Sequence, residues 1–324
     1  MKKLLLSIGL LFLILSKTFS NNQTGDTSQK VYVGIYLMNL YDFDMASNSF
    51  AADFYLWCKW KGDLDPVTGL EFVNSIDKWG FTQTAVFDST QILKDGSNYH
   101  IMRVEGRFDY DFNLERFPLD KHQVPIKIEN SLYNSGQLVY LPAENESGIQ
   151  KELKIQGWYI NGFKLVPSEH EYDTNFGYDD KIKETYSNIS FNIEIERPLN
   201  FFLWKLLLPL IVVLISSLGA SFVFPGYIDA RISLPIGALL AVVFLQQAYT
   251  DNLPDIAYMV LMDKIYVLSY LIIIVGLVQV IFAANKVSSQ KEDEIKIVKK
   301  IDFRFISVLL ILYLGSCAYL IIFS

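Results

Sequence analysis

Cysteine is nearly missing from this chain: two in 324 residues, Cys58 and Cys317. Cys58 falls in the segment read below as an exported domain and Cys317 in an apolar run near the end. The water–membrane boundary expected between them rules out an internal disulfide. Histidine is almost as scarce. His100, His122 and His170 are scattered, and none sits at a metal-ligand or nucleophile spacing. No catalytic residue, metal site or cofactor is therefore expected, and an enzyme is the weakest of the functional readings. Positive charge is also in deficit. Lys+Arg number 28 against 35 Asp+Glu, a net charge of −7, and within residues 21–199 the count is 16 against 27, or −11. So acidic a segment argues against nucleic acid as a partner and favours cations. No internal repeat or low-complexity linker interrupts the chain.

Apolar residues are plentiful, 51% of the total, and unevenly spread. Lys2 and Lys3 precede an apolar run from Leu4 to Leu15 and a small-residue step at Thr18–Ser20. That run is short for a membrane span, so residues 1–20 read as a cleaved signal peptide, with an uncleaved anchor as the competing reading. Residues 21–198 carry period-two alternation in several stretches, among them 52–60, 99–105, 124–129, 155–165 and 189–195. Turn residues separate them at Lys61–Asp63, Lys94–Ser97, Asn134–Gly136 and Asn161-Gly162. Many short half-buried strands without helical periodicity predict an all-β, immunoglobulin-like sandwich, exported behind the signal peptide.

From residue 199 to 324 the chain reads as an α-helical four-span transmembrane bundle, with spans at about 201–224, 228–249, 258–283 and 305–323. Trp204 suits an interfacial anchor. The short segment 285–304 is rich in lysine and is expected to form a cytoplasmic loop. Both mature termini then face the periplasm or outside, in a multi-pass protein of the inner (plasma) membrane.

The second span differs from the others. Ser233, Gly237, Leu240, Phe244, Gln247 and Asp251 follow spacings of four and three and so share one helical face, with Asp229 one turn earlier. The stripe is polar at both ends and closed by large apolar groups in its middle. A ring of such helices around water would accommodate the charges and let Leu240 and Phe244 form a constriction that gates by dewetting. The plain alternative is packing against neighbouring helices of the same subunit. Pro235 inside this helix deletes a backbone hydrogen bond under either reading.

Several segments, taken in order, resemble the pentameric ligand-gated ion channels, the superfamily of acetylcholine, glycine and GABA receptors, and particularly its bacterial members. Arg116-Phe117-Pro118-Leu119-Asp120-Lys121-His122-Gln123 is similar to the family's Phe-Pro-Phe-Asp-x-Gln loop, without the flanking disulfide of vertebrate members. Trp57-Cys58-Lys59-Trp60, Glu196-Arg197-Pro198-Leu199 and Asn252-Leu253-Pro254 resemble further family landmarks.

The resemblance implies a homopentamer, each chain joined by four copies of itself in membrane lipid, passing monovalent cations in response to a small-molecule or proton agonist. Asp229 stands where bacterial cation channels carry an acid, and Arg231 either opposes it or pairs with it. Coupling is expected where the loops Asp42–Ser49 and Phe117–Asp120 meet Asn252–Ala257. There Arg197 would pair with Asp120 and Asp44, with Phe117, Pro118 and Pro254 alongside. The ligand-binding aromatics implied are Phe72, Tyr133, Phe176, Tyr178 and Tyr186, with Trp158 on the strand before the capping loop. The alternative function is a membrane-anchored sensory or binding protein of the same fold that does not conduct.

Overall fold

The computed structural model describes residues 28–76, 80–174, 176–177, 184–251, 253–286 and 292–323. The expected signal peptide lies outside them.

Among the described residues, eleven strands form two packed sheets. One runs β4(Thr82–Ala85), β6(Asn98–Asp109), β2(Ser49–Trp60), β1(Gln29–Asp44), β8(Leu138–Pro142), with β5(Gln91–Ile92) paired to β6 and β9(Gly148–Ile149) to β1. The other runs β10(Tyr159–Glu171), β11(Thr185–Glu196), β7(Lys121–Asn130), β3(Leu70–Phe72). The alternation seen in the sequence becomes the core. Val31, Val33, Ile35 and Leu37 of β1 are fully buried, as are Val124, Ile126 and Ile128 of β7 and Ile189, Phe191 and Ile193 of β11. A pleat turns every second side chain inward, and the two inner faces bury each other. Cys58 belongs to this core, and burial pushes its thiol up to about 12, leaving it inert.

Asn161-Gly162 is not a turn. It lies inside β10, where the register with β11 shifts between Ile160 and Gly162, so the glycine accommodates a bulge. Gly34 has a different purpose. A Cβ there would sit 2.3 Å from the Trp57 ring on the neighbouring strand, so only glycine lets that indole lie flat across β1.

Among the described residues, four helices below the sandwich are long and apolar enough to cross a membrane. They are α1(Phe201–Phe222), α2(Ile228–Thr250), α3(Leu261–Lys286) and α4(Glu292–Phe323). The first turns of α1, Phe201–Leu207, are widened into a π-helix just ahead of Pro209, whose missing N–H leaves a carbonyl one turn earlier without its usual donor. Trp204 is exposed there. α2 packs on α1 and α3, and α4 packs on α3 and on the end of α1.

Two predicted boundaries move. The third helix starts at Leu261 rather than 258, because Tyr258 is drawn into the domain junction, where its hydroxyl accepts a bond from Leu114 N–H at 3.0 Å. The fourth starts at Glu292 rather than 305. Much of the predicted cytoplasmic loop is therefore helix, built from Glu, Lys and Ile, all at home in helices, with Val298 and Asp302 turned inward.

Candidate functional site

The β domain rests on the bundle through the Phe117–Asp120 loop, which connects β6 to β7. The Phe117–Pro118 bond is cis. Phe117 is buried and stacks on Tyr249 near the end of α2, with ring centroids 6.3 Å apart. Its carbonyl accepts from Met262 N–H at 3.2 Å, and the Glu115 carbonyl accepts from Leu261 N–H at 2.8 Å. The loop thus caps the first turn of α3, where helical N–H groups have no partner of their own. Tyr249 in turn bonds Asp263, and Tyr270 donates to Gln246 at 2.7 Å, so α2 and α3 are cross-tied beneath the loop.

Arg197 closes the junction, as expected, on Asp120. Its Nε donates to Oδ1 at 2.8 Å and its Nη2 to Oδ2 at 3.1 Å, the paired geometry that suits a guanidinium. The same Oδ2 lies 2.9 Å from His122 Nε2, which must carry the proton because a carboxylate only accepts. Burial alone would raise the Asp120 carboxyl, but the bonds from His122 and Arg197 outweigh it and hold the group below the usual carboxylate range. The guanidinium also lies 4.2 Å from the Trp158 ring centre and 4.9 Å from that of Phe117.

Asp44, the second predicted partner, is not there. It accepts instead from Ala46 and Ser47 N–H and fixes the turn between β1 and β2. Arg197 meets that turn through the sulfur of Met45 at 3.6 Å. Pro254 lines a cleft of about 370 Å³ with Asp42, Asp44, Met45 and Asp251, opposite the turn. Trp158 is likewise a junction residue rather than a neighbour of the capping loop. The loop motif read from the sequence contains His122, but sequence reasoning did not place Trp158 or Tyr258 here.

On α2 the seven stripe residues Asp229, Ser233, Gly237, Leu240, Phe244, Gln247 and Asp251 are all exposed in the single chain. Leu240 and Phe244 are 57% and 65% exposed. The opposite face, Arg231, Pro235, Ala238, Val242 and Tyr249, is buried against α1 and α3. This overturns one expectation: the stripe does not pack against helices of its own subunit. Arg231 does not pair with Asp229 either. It is fully buried and bonds Asp302 of α4 at 2.5 Å.

The expected ligand aromatics divide. Phe72 points into the core against Phe54, Phe81 and Phe108, because it shares the inward pleat of β3 with its partner Ile128. Glu71, one residue earlier, faces the other way, beside Glu129. Glu129 is buried, and its oxygens accept from Tyr172 at 2.8 Å and lie 3.0 Å from His170 Nδ1. Tyr172 packs against Phe176 and Tyr186, at 5.2 and 5.8 Å. Burial and then the neighbouring Glu129 raise Glu71, and burial followed by the bond to Glu129 raises the Tyr172 hydroxyl. Phe176 is exposed, Tyr133 half-buried, and Tyr178 lies outside the described residues.

Sequence reasoning missed Glu129, His170 and Tyr172 as a unit, since no local spacing joins β7 to the end of β10. It also missed an open aromatic cleft on the first sheet, lined by Tyr36, Tyr55, Trp57, Tyr99 and the Lys59–Glu146 ion pair.

No family model matches the chain. Individual relatives do. The gamma-aminobutyric acid receptor subunit alpha-2 of Rattus norvegicus is 21% identical over 277 residues, covering 79% of this chain and 60% of the relative. The Homo sapiens subunit matches over the same extent. The proton-gated ion channel of Gloeobacter violaceus is 22% identical over 274 residues, covering 79% of this chain and 73% of the relative. The match thus spans three fifths of the receptor subunits' length. With a two-sheet sandwich seated by a Phe-Pro loop on four helices long and apolar enough to cross a membrane, and no cysteine in that loop, the chain is a distant homologue of these receptor subunits and of this proton-gated ion channel.

Proposed function

We propose that the chain is one subunit of a homopentameric, ligand-gated channel selective for monovalent cations, with the seven-residue face of α2 turned to the central water column. One observation carries the reading. The face of α2 left uncovered by its own subunit is the one that is polar at both ends and apolar in the middle. Charged groups exposed on a membrane helix are costly in lipid, and five such faces around water accommodate them.

In that arrangement Leu240 and Phe244 form the hydrophobic gate, and rings of Asp229 and Ser233 line the exit. Asp229 attracts cations there, and Asp251 and the acidic β domain enrich them at the entrance. The β domain faces outside the plasma membrane, and residues 1–20 are a signal peptide removed on export. Agonist binding, by a small molecule or by protons, is relayed through Arg197, Asp120, Phe117 and the turn facing Pro254. The agonist site pairs Tyr133, Tyr172, Phe176 and Tyr186 of one subunit with the aromatic cleft of the next.

The test is current across a bilayer holding the purified protein, under a salt gradient, while the outer pH is stepped. A proton-evoked current reversing near the cation equilibrium potential supports both conduction and selectivity. Silence from a pentameric Leu240→Ala variant, whose constriction is widened, rejects conduction in favour of a sensory protein. An unchanged reversal potential in Asp229→Ala rejects the selectivity assignment.

A further inference from the structure

Arg231 lies two residues after the acid proposed to set ion preference. On the sequence it looks like an opposing charge at the same constriction. Its surroundings contradict that. The side chain is fully buried. Nη2 donates to Asp302 Oδ2 at 2.5 Å, and Nε donates to the Ala220 carbonyl at the end of α1 at 3.2 Å. Gln279 of α3 donates to the other Asp302 oxygen at 3.3 Å. One arginine and one aspartate therefore join all four helices at the end of the bundle far from the β domain. The acid nearest in sequence, Asp229, and the acid that Arg231 meets, Asp302, are divided by this geometry: Asp229 is exposed and Asp302 is 1% exposed.

We propose that Arg231 is a positioning residue rather than a pore charge. With Asp302 and Gln279 it forms a polar clasp that fixes the rotation of α2 and so aims Asp229 and Ser233 at the uncovered face. Two physical points support this. A helix turns 100° per residue, so a group two positions from Asp229 points 200° away. Pinning Arg231 inward therefore sets Asp229 outward. An arginine buried this deeply also needs its carboxylate, since removing either partner strands a charge. Arg231 Nη1 and the hydroxyl of Ser217, on the last full turn of α1, have no hydrogen-bond partner among the described residues. The clasp is thus held by few bonds, and a shift of α4 is felt directly at the α2 terminus.

The proposal rests on the channel reading, and its test separates the two. Asp229→Cys and Arg231→Cys are placed singly in the purified protein and exposed to a water-soluble maleimide. Asp229→Cys should react at least about tenfold faster, as an exposed site differs from a packed one. Equal rates overturn the clasp whether or not current flows.

The second arm replaces the pair together, Arg231→Met with Asp302→Leu, which leaves no stranded charge. In a Leu240→Ala background this double variant should keep the cation-to-anion permeability ratio within about twofold, whereas Asp229→Ala lowers it several-fold. A several-fold rise in the double variant shows Arg231 acting as an opposing pore charge and overturns the proposal. Protection at position 231 in a pentamer that never conducts supports the clasp and rejects the channel reading instead.

Discussion

Two arginine–aspartate pairs lie at the two ends of the helical bundle, one in the β domain above it and one among its helices, and they are built to different standards. At the end near the β domain, Asp120 receives two bonds from Arg197 and one from His122, and Trp158 and Phe117 flank the guanidinium. At the far end Arg231 has one carboxylate oxygen, one carbonyl and an Nη1 without a partner among the described residues. The first is over-determined and braces the side of the β domain that faces the bundle. The second is sparse and joins helices within the bundle. On the proposed channel reading, a rigid joint transmits motion from the β domain, while a loosely satisfied one is the more easily re-set by neighbouring helices or lipid.

The comparison is broken most severely by Arg197→Ala. It strands a carboxylate that is 1% exposed on its side chain, and it should cost about 3–5 kcal/mol, with loss of assembly or of gating. The thermal midpoint and, on the proposed channel reading, pentamer yield measure this; a stable assembly with unaltered gating breaks the joint as described.

Arg197→Lys is the next step down. The charge stays, but the paired bonds and the stacking on Trp158 go, so a loss of about 1–2 kcal/mol is expected in the same assay.

Tyr258→Phe removes only the hydroxyl that accepts from Leu114 N–H, and about 1 kcal/mol should follow, seen as easier unfolding of the junction.

The smallest effect is one of pH. Asp120 is held below its unfolded value of 3.8, so its contribution is fully present above that value and is lost as pH falls through the lower folded value. The stability difference between wild type and Asp120→Asn should therefore stay flat from neutral pH to about 5 and narrow only below about 4. A difference that fades between pH 7 and 5 would make Asp120 itself the proton sensor. Glu71, which is raised, takes up a proton at milder acidity and is the better candidate for that role.

Much of this was legible locally. Alternation marked the strands because a pleat has period two, and the α2 stripe was legible because a helix has period 3.6. Arg197 and Asp120 were legible through a family resemblance in two short motifs. Phe72 was misplaced because a motif position does not fix pleat parity: Glu71 faces out and Phe72 faces in, although the two are adjacent. Asp302 was hidden because it lay in what read as a basic loop, and Asp44 was a plausible partner until its turn consumed it.

By itself, then, the sequence determined the elements, the four spans and which residues share a face, since these follow from backbone periodicity and from the cost of unpaired polar groups in lipid. The tertiary structure alone decided which charges meet. Arg197 finds Asp120 across 77 residues and Arg231 finds Asp302 across 71, and no local pattern spans such distances. Periodicity names the face of a helix or strand, but only packing names what that face touches.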